Sequence, residues 1–274
     1  MPESRRIRLL LSDVDGTLVT DDKVLTKGAI AACQELHRAG VALALVSSRP
    51  PRGLRMLIQP LALSTVIAGC NGALLVKPDL SVIECHSLDP EIAGRSVALL
   101  LEQGLEVWVY TESEWLVRDR NAAHVAREEW ILQFDAKPVA AFCAADLAQA
   151  VKIVGVSDDL GRVAACETSI QTSLDSKVSA RRSQLYFLDI THPLANKGAV
   201  ATSLSNRLNI PPEAIATIGD MPNDVLMFQE SGLSIAMGNA SDAVKAAASV
   251  TTDSNEKEGF AKAVKNFILP LGAI

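Results

Sequence analysis

Apolar positions along the chain fall into short unbroken runs separated by segments with helical spacing. Leu9-Leu10-Leu11 is the first run, ending in Ser12-Asp13-Val14-Asp15-Gly16, and residues 41–46 form the second. Runs of this length, bounded by turn residues, read as strands covered on both faces. Between them, Thr26 caps a helix that carries Ala29, Ile30, Cys33 and Leu36 inward and stops at Gly40. A helix over about 51–59 and a strand near 65–68 continue the alternation, which predicts a parallel α/β sheet.

The alternation then pauses. Residues 73–76 and 81–85 flank Lys77-Pro78-Asp79 and read as a hairpin. From about Leu88 a different unit begins, with an amphipathic helix over 91–103 stopped by Gly104 and a strand over 105–110. An irregular stretch with a helix near 121–130 follows, then a strand over 151–156, a polar helix, a strand around 168–174 and another over 184–190. All three tryptophans (Trp108, Trp115, Trp130) lie in this block, as expected if it packs a core of its own.

After Asn196 the first pattern returns. A helix runs to about Leu208, residues 214–218 form a buried strand ending at Gly219-Asp220, and a helix (225–230), a strand (233–237) and helices over 242–248 and 257–268 complete it. The expected organisation is a doubly wound core from residues 1–86 and 191–274, with an α/β unit over 87–190 inserted into it.

Composition narrows the functions such a fold can serve. With 49% apolar residues in 274, one core and a smaller second domain are readily buried. A net charge of −6 argues against a nucleic-acid binder that coats phosphates. The polar, basic start (Met1 to Arg8) leads too quickly into the acidic loop for a secretory signal, and no apolar stretch is long enough to span a bilayer. A cytoplasmic protein without a membrane partner is expected. The five cysteines, Cys33, Cys70, Cys85, Cys143 and Cys166, show no CxxC spacing and are expected to be reduced and mostly buried.

Candidate chemistry sits at the ends of the predicted strands, which in a doubly wound sheet converge on one crevice. The groups are Asp13 and Asp15, Ser47-Ser48-Arg49, Asn196-Lys197-Gly198, and Gly219-Asp220 with Asn223-Asp224. Each alone is weak, since paired aspartates cap turns and a lysine at a helix start is usually solvated. Together they suit phosphoryl transfer. Asp13 is placed to attack phosphorus and form an aspartyl-phosphate. Asp220 adds a second carboxylate for a metal, and oxygen-only donors favour Mg²⁺ over zinc. Asp15 is the proton carrier for leaving group and water, a role that calls for neighbouring carboxylates to raise its pKa. Ser47 and Asn223 would hold phosphoryl oxygens, Lys197 would neutralise charge, and Asp224 would orient Lys197 or a metal-bound water. No GxxxxGK, GxGxxG, HExxH or GxSxG occurs, and the four histidines are scattered.

In order and context, these segments resemble the haloacid dehalogenase-like superfamily, specifically its Cof-type sugar-phosphatase branch with a type IIB cap. Asp13-Val14-Asp15-Gly16-Thr17-Leu18 is similar to the first family motif, Ser47 to the second, Asn196-Lys197-Gly198 to the third, and Gly219-Asp220-Met221-Pro222-Asn223-Asp224 to the fourth. Asn71-Gly72-Ala73, Met237-Gly238-Asn239-Ala240 and Thr252-Asp253-Ser254-Asn255 resemble further segments of the branch. The resemblance implies a Rossmann-like core, an α/β cap over the site, and Mg²⁺-dependent hydrolysis of small phosphate monoesters such as sugar phosphates. It also implies metal binding by Asp13, the backbone carbonyl of Asp15, and Asp220. Ser48 stands where the branch usually has glycine; its side chain either hinders backbone approach to phosphate or adds a hydroxyl donor. A phosphomutase and a catalytically silent phosphate-ligand binder remain alternatives, and either a monomer or a homodimer fits.

Overall fold

The computed structural model describes residues 6–272; residues 1–5, most of the polar start, lie outside them. The chain begins with β1 (Leu9–Ser12), α1 (Lys27–Arg38), β2 (Ala42–Val46), α2 (Arg55–Ile58), β3 (Ile67–Gly69), β4 (Leu74–Val76) and β5 (Val82–Cys85). Thr26 caps α1 from an extended backbone: its hydroxyl accepts from the Ala29 amide at 3.0 Å and donates to Glu258 at 2.8 Å. Thr26→Ala is expected to cost about 1 kcal/mol, measured as a lower denaturation midpoint at unchanged slope; an unmoved midpoint would refute the cap's contribution.

The middle of the chain supplies α3 (Pro90–Glu102), β6 (Glu106–Tyr110), β7 (Trp115–Val117), α4 (Val125–Leu132), β8 (Lys137–Pro138), α5 (Ala144–Ala148), β9 (Lys152–Val156), α6 (Leu160–Leu174), β10 (Ser179–Gln184) and β11 (Phe187–Thr191). The remainder gives α7 (Lys197–Leu208), β12 (Ile215–Gly219), α8 (Val225–Phe228), β13 (Leu233–Ala236), α9 (Asp242–Ala246), β14 (Val250–Thr251) and α10 (Gly259–Ala263), extended through a π-helical turn.

These strands build two sheets. The larger has the order β14-β13-β12-β1-β2-β3-β4-β5, parallel from β14 to β3 and antiparallel across the β4–β5 hairpin. Ser12 lies beside Leu45 on one side and Ile218 on the other, so the carboxyl ends of β1, β2 and β12 are adjacent. The chain winds away from β1 in both directions, which makes the end of β1 the switch point where an α/β sheet opens its crevice.

The smaller sheet has the order β10-β11-β9-β6-β7-β8 and is antiparallel except between β7 and β8. One face packs Val107, Val109, Ile153 and Leu188 on α3 and α6. The other carries Trp108, Tyr110, Trp115 and Phe187, which share a buried cluster with Cys70, Leu74 and Ala195 of the larger unit. This aromatic face is therefore turned toward the larger sheet.

Several expectations are corrected. The segment 168–174 is not a strand but the second half of α6. Its threonines favour an extended chain locally, yet Val163, Cys166, Ile170 and Leu174 recur at helical spacing and all are buried. The strand expected over 184–190 is two strands, β10 and β11, turning at Leu185 and Tyr186. Trp130 is 54% exposed and takes no part in the inner core that Trp108 and Trp115 build. Cys85 and Cys143 are exposed, while Cys33, Cys70 and Cys166 are buried; all five are free. Among the described residues, no helix is long and apolar enough to cross a membrane.

Candidate active site

The larger sheet collects its charged groups at the carboxyl end of β1. Asp13 follows β1 directly, and Asp220 follows β12 beside it. Gly16 lets the acidic loop close on Asp220: its φ is +77°, and a Cβ there would lie 2.4 Å from the Asp220 Oδ2. Thr17 Oγ1 donates to Asp220 Oδ1 at 3.0 Å, and Asn239 Nδ2 donates to Asp220 Oδ2 at 3.2 Å. Lys197, at the start of α7, is 2% exposed; its Nζ donates to Asp13 Oδ1 at 2.7 Å and to Asp224 Oδ1 at 2.6 Å.

Ligand oxygens of Asp13, Asp220 and Asp224 lie within 4.8 Å of one another. Asp224 is saturated, because its Oδ2 accepts the amides of Asp220 and Met221 at 2.9 and 2.8 Å. Its chemistry is therefore to hold Lys197. Burial, offset in part by Lys197 and reinforced by Asp224, pushes the Asp13 carboxyl up to about 7. Burial and the charges of Asp13 and Asp224 raise Asp220 well above the usual carboxylate range. For Lys197, burial works against the charge, but Asp13 and Asp224 prevail and hold it protonated. Three carboxylates thus face one ammonium, and a hard cation between Asp13 and Asp220 would relieve both, with oxygen donors of the right kind already in place.

Asp15 is placed differently from the expectation. Its carboxylate accepts Arg49 Nη2 at 2.6 Å and Nε at 2.7 Å, and Lys23 Nζ at 2.8 Å. Burial alone would raise its pKa, yet the Arg49 guanidinium and then Lys23 outweigh it and hold the group well below the usual range. The raised pKa expected from neighbouring carboxylates is not found, because two cations hold the group ionised. Arg49 Nη1 also donates to the carbonyls of Gly53 and of Ile131 in α4 at 3.3 Å each, so the smaller unit helps to fix the pair.

Ser47 is buried at the end of β2; its hydroxyl oxygen accepts the Arg49 amide at 3.1 Å. Ser48 lines the space between the sheets, and its carbonyl accepts Lys152 Nζ of β9 at 2.7 Å. Asn223 Nδ2 donates to Asn71 Oδ1 at 3.1 Å, and Asn71 Nδ2 donates to Asp189 Oδ2 of β11 at 2.7 Å. Asn71 has φ +58°, a left-handed backbone that asparagine tolerates. The buried Asn223 Oδ1 and Asp189 Oδ1 have no partner among the described residues.

Sequence reasoning therefore gathered Asp13, Asp15, Ser47, Ser48, Lys197, Asp220, Asn223 and Asp224 around one crevice. It missed Lys23, Lys152 and Asp189, and it quoted Arg49, Asn71 and Asn239 in motifs without giving them work. Lys152 and Asp189 did leave a signal, each being a lone charge inside an apolar run.

Comparison with known proteins finds a family, relatives and solved structures that the chain resembles along most of its length. The family described as haloacid dehalogenase-like hydrolase matches residues 10–264. The HMP-PP phosphatase of Cronobacter sakazakii is 28% identical over 239 residues, covering 85% of this chain and 85% of that protein. Pyridoxal phosphate phosphatase YbhA of Escherichia coli is 27% identical over 272 residues, covering 96% and 99%. The solved structure of the subclass IIB sugar phosphatase BT4131 aligns with a TM-score of 0.83 at 21% identity, covering 96% of this chain and 99% of that one. At that identity the likeness is one of fold.

Proposed function

Because the chain belongs to the haloacid dehalogenase-like hydrolase family and is a hydrolase, we propose that it is a Mg²⁺-dependent phosphatase. Its substrates would be small phosphorylated metabolites, and it would act through an aspartyl-phosphate on Asp13. The observation that carries this reading is the buried Asp13–Lys197–Asp224 chain beside Asp220, an acceptor-rich cluster with one ammonium inside it. Relatives whose names state phosphatase activity on small molecules support it.

The Asp13 carboxylate attacks phosphorus, the bond to the leaving oxygen breaks, and Lys197 offsets the charge that collects around the phosphoryl group. The Ser47 hydroxyl keeps its own proton to donate to a phosphoryl oxygen, since its hydrogen bond to Arg49 uses only a lone pair. Asp224 keeps Lys197 in place. Asp15, held ionised by Arg49 and Lys23, is ready to take a proton from the water that hydrolyses the aspartyl-phosphate. Its service as an acid in the first half-reaction requires the arriving substrate to loosen that ion pair. Asp13, Asp220 and the backbone carbonyl of Asp15 would hold Mg²⁺, which supplies charge neutralisation at the transferring phosphoryl group.

The test is phosphate release from a panel of sugar and other metabolite phosphates, with Mg²⁺ and after EDTA. We expect release with Mg²⁺, a fall of about a hundredfold or more on chelation, and recovery when Mg²⁺ is restored. Isomerised sugar phosphate without free phosphate would replace the hydrolase chemistry with a mutase.

A further inference from the structure

Between Asp15 and the aromatic face of the smaller sheet lies a narrow chamber of about 30 Å³. That is room for a water rather than a substrate, so a leaving group enters only as the two units part. Asp15 shows where that group lies. The group that protonates a departing oxygen must stand beside it, and Asp15 forms part of the chamber wall.

The chamber faces five charged side chains: Asp15, Lys23, Arg49, Lys152 and Glu128. Four are matched. Asp15 is paired with Arg49 and Lys23, and Lys152 donates to the Ser48 carbonyl while lying 3.8 Å from Asp189. Glu128, on α4, is partly buried and makes no ion pair and no side-chain hydrogen bond with any of the described residues; burial, offset in part by the more distant Lys152 and Arg49, pushes its carboxyl up to about 7. A carboxylate whose only task was to balance Lys152 or Arg49 would touch one of them. Glu128 instead presents an unused acceptor to the chamber. The adjoining surface is aromatic: Trp108, Tyr186 and Phe187 line the space, with Tyr186 braced on one face by His124 at 4.4 Å between ring centres. That aromatic wall gives the slot a surface on which a flat body stacks.

We propose that this slot is the leaving-group subsite, that it takes phosphate esters of flat alcohols bearing an ammonium or N–H donor, and that Glu128 selects for that donor. The assignment rests on the phosphatase reading above and narrows its substrate class. An anionic leaving group meets Glu128, the one carboxylate of the chamber without a paired cation, and is disfavoured.

The experiment compares kcat/KM for 4-(aminomethyl)benzyl phosphate, 4-methylbenzyl phosphate and 4-carboxybenzyl phosphate, three esters of similar shape. Acetyl phosphate serves as a substrate too small to fill the slot. The expected wild-type order is ammonium over neutral over carboxylate, with about a hundredfold between the extremes, and Glu128→Gln is expected to shrink that ratio about tenfold or more. Thermal melting confirms that the variant is folded. The subsite is overturned if Glu128→Gln leaves the ratio unchanged, if it lowers all three probes equally, or if acetyl phosphate is hydrolysed while no ring ester is. Failure to release phosphate even from acetyl phosphate would instead bring down the phosphatase reading itself.

Discussion

Asp13→Asn is expected to lower phosphate release by about four orders of magnitude or more, the scale on which removal of a covalent nucleophile acts. The substitution is nearly isosteric, and its side-chain oxygen can still accept from Lys197 Nζ, which reaches Asp13 Oδ1 at 2.7 Å in the native chain. The loss therefore isolates nucleophilicity from packing. Single-turnover release from the best ester of the panel is the measurement, with acid-quenched protein assayed for bound phosphate alongside it. A variant retaining more than a tenth of the wild-type rate would remove Asp13 from the reaction and with it the aspartyl-phosphate.

Lys197→Met has the largest expected effect on stability. The ammonium is 2% exposed and lies between two carboxylates at 2.7 and 2.6 Å, one of which, Asp224, is fully buried. Methionine keeps most of the volume but leaves both carboxylates facing each other without a cation. Breaking a buried pair by removing one partner costs about 3–5 kcal/mol, because the remaining charge is still desolvated. For a chain of this size that corresponds to a fall of roughly 6–20 °C in Tm. Calorimetry in a buffer free of divalent ions is the appropriate test. A melting temperature within 2 °C of wild type would mean that the carboxylates are relieved by protonation, and that Lys197 is not their necessary counter-charge.

The parts of this site that were legible in the sequence share one property: each sits where an apolar run stops. Asp13 follows Leu9–Ser12 and Asp220 follows Ile215–Gly219, and both strands are fully buried. Their positions therefore follow from local pattern and the general rule for parallel sheets. Lys197 opens a helix capped by Asn196, whose side chain accepts the Ala199 amide, again a local signal. The charge state of Asp15 was not legible, because it depends on Arg49, which lies 34 residues away, and on how Arg49 is braced by Ile131, a further 82 residues on. Nearby carboxylates are visible in the sequence, whereas the guanidinium that sets the charge of Asp15 becomes a neighbour only after folding. The error at 168–174 has a different origin. β-branched Thr168 and Thr172 favour strand locally, but both lie on the exposed side of α6 and back-bond to carbonyls one turn earlier. The buried face decided the outcome, as tertiary packing commonly does.

The contact between Lys152 and Ser48 has an asymmetry of its own. Lys152 contributes a side chain, whereas position 48 contributes only its main-chain carbonyl. Any residue at 48 that preserves the local backbone offers the same oxygen, so serine in place of the usual glycine leaves this tie between the two units intact. A saturation scan would then score Lys152 as sensitive and position 48 as permissive, and half of the joint would go undetected. Residue 48 is thereby free to drift in size and polarity at the rim of the crevice without loosening the fastening beneath it.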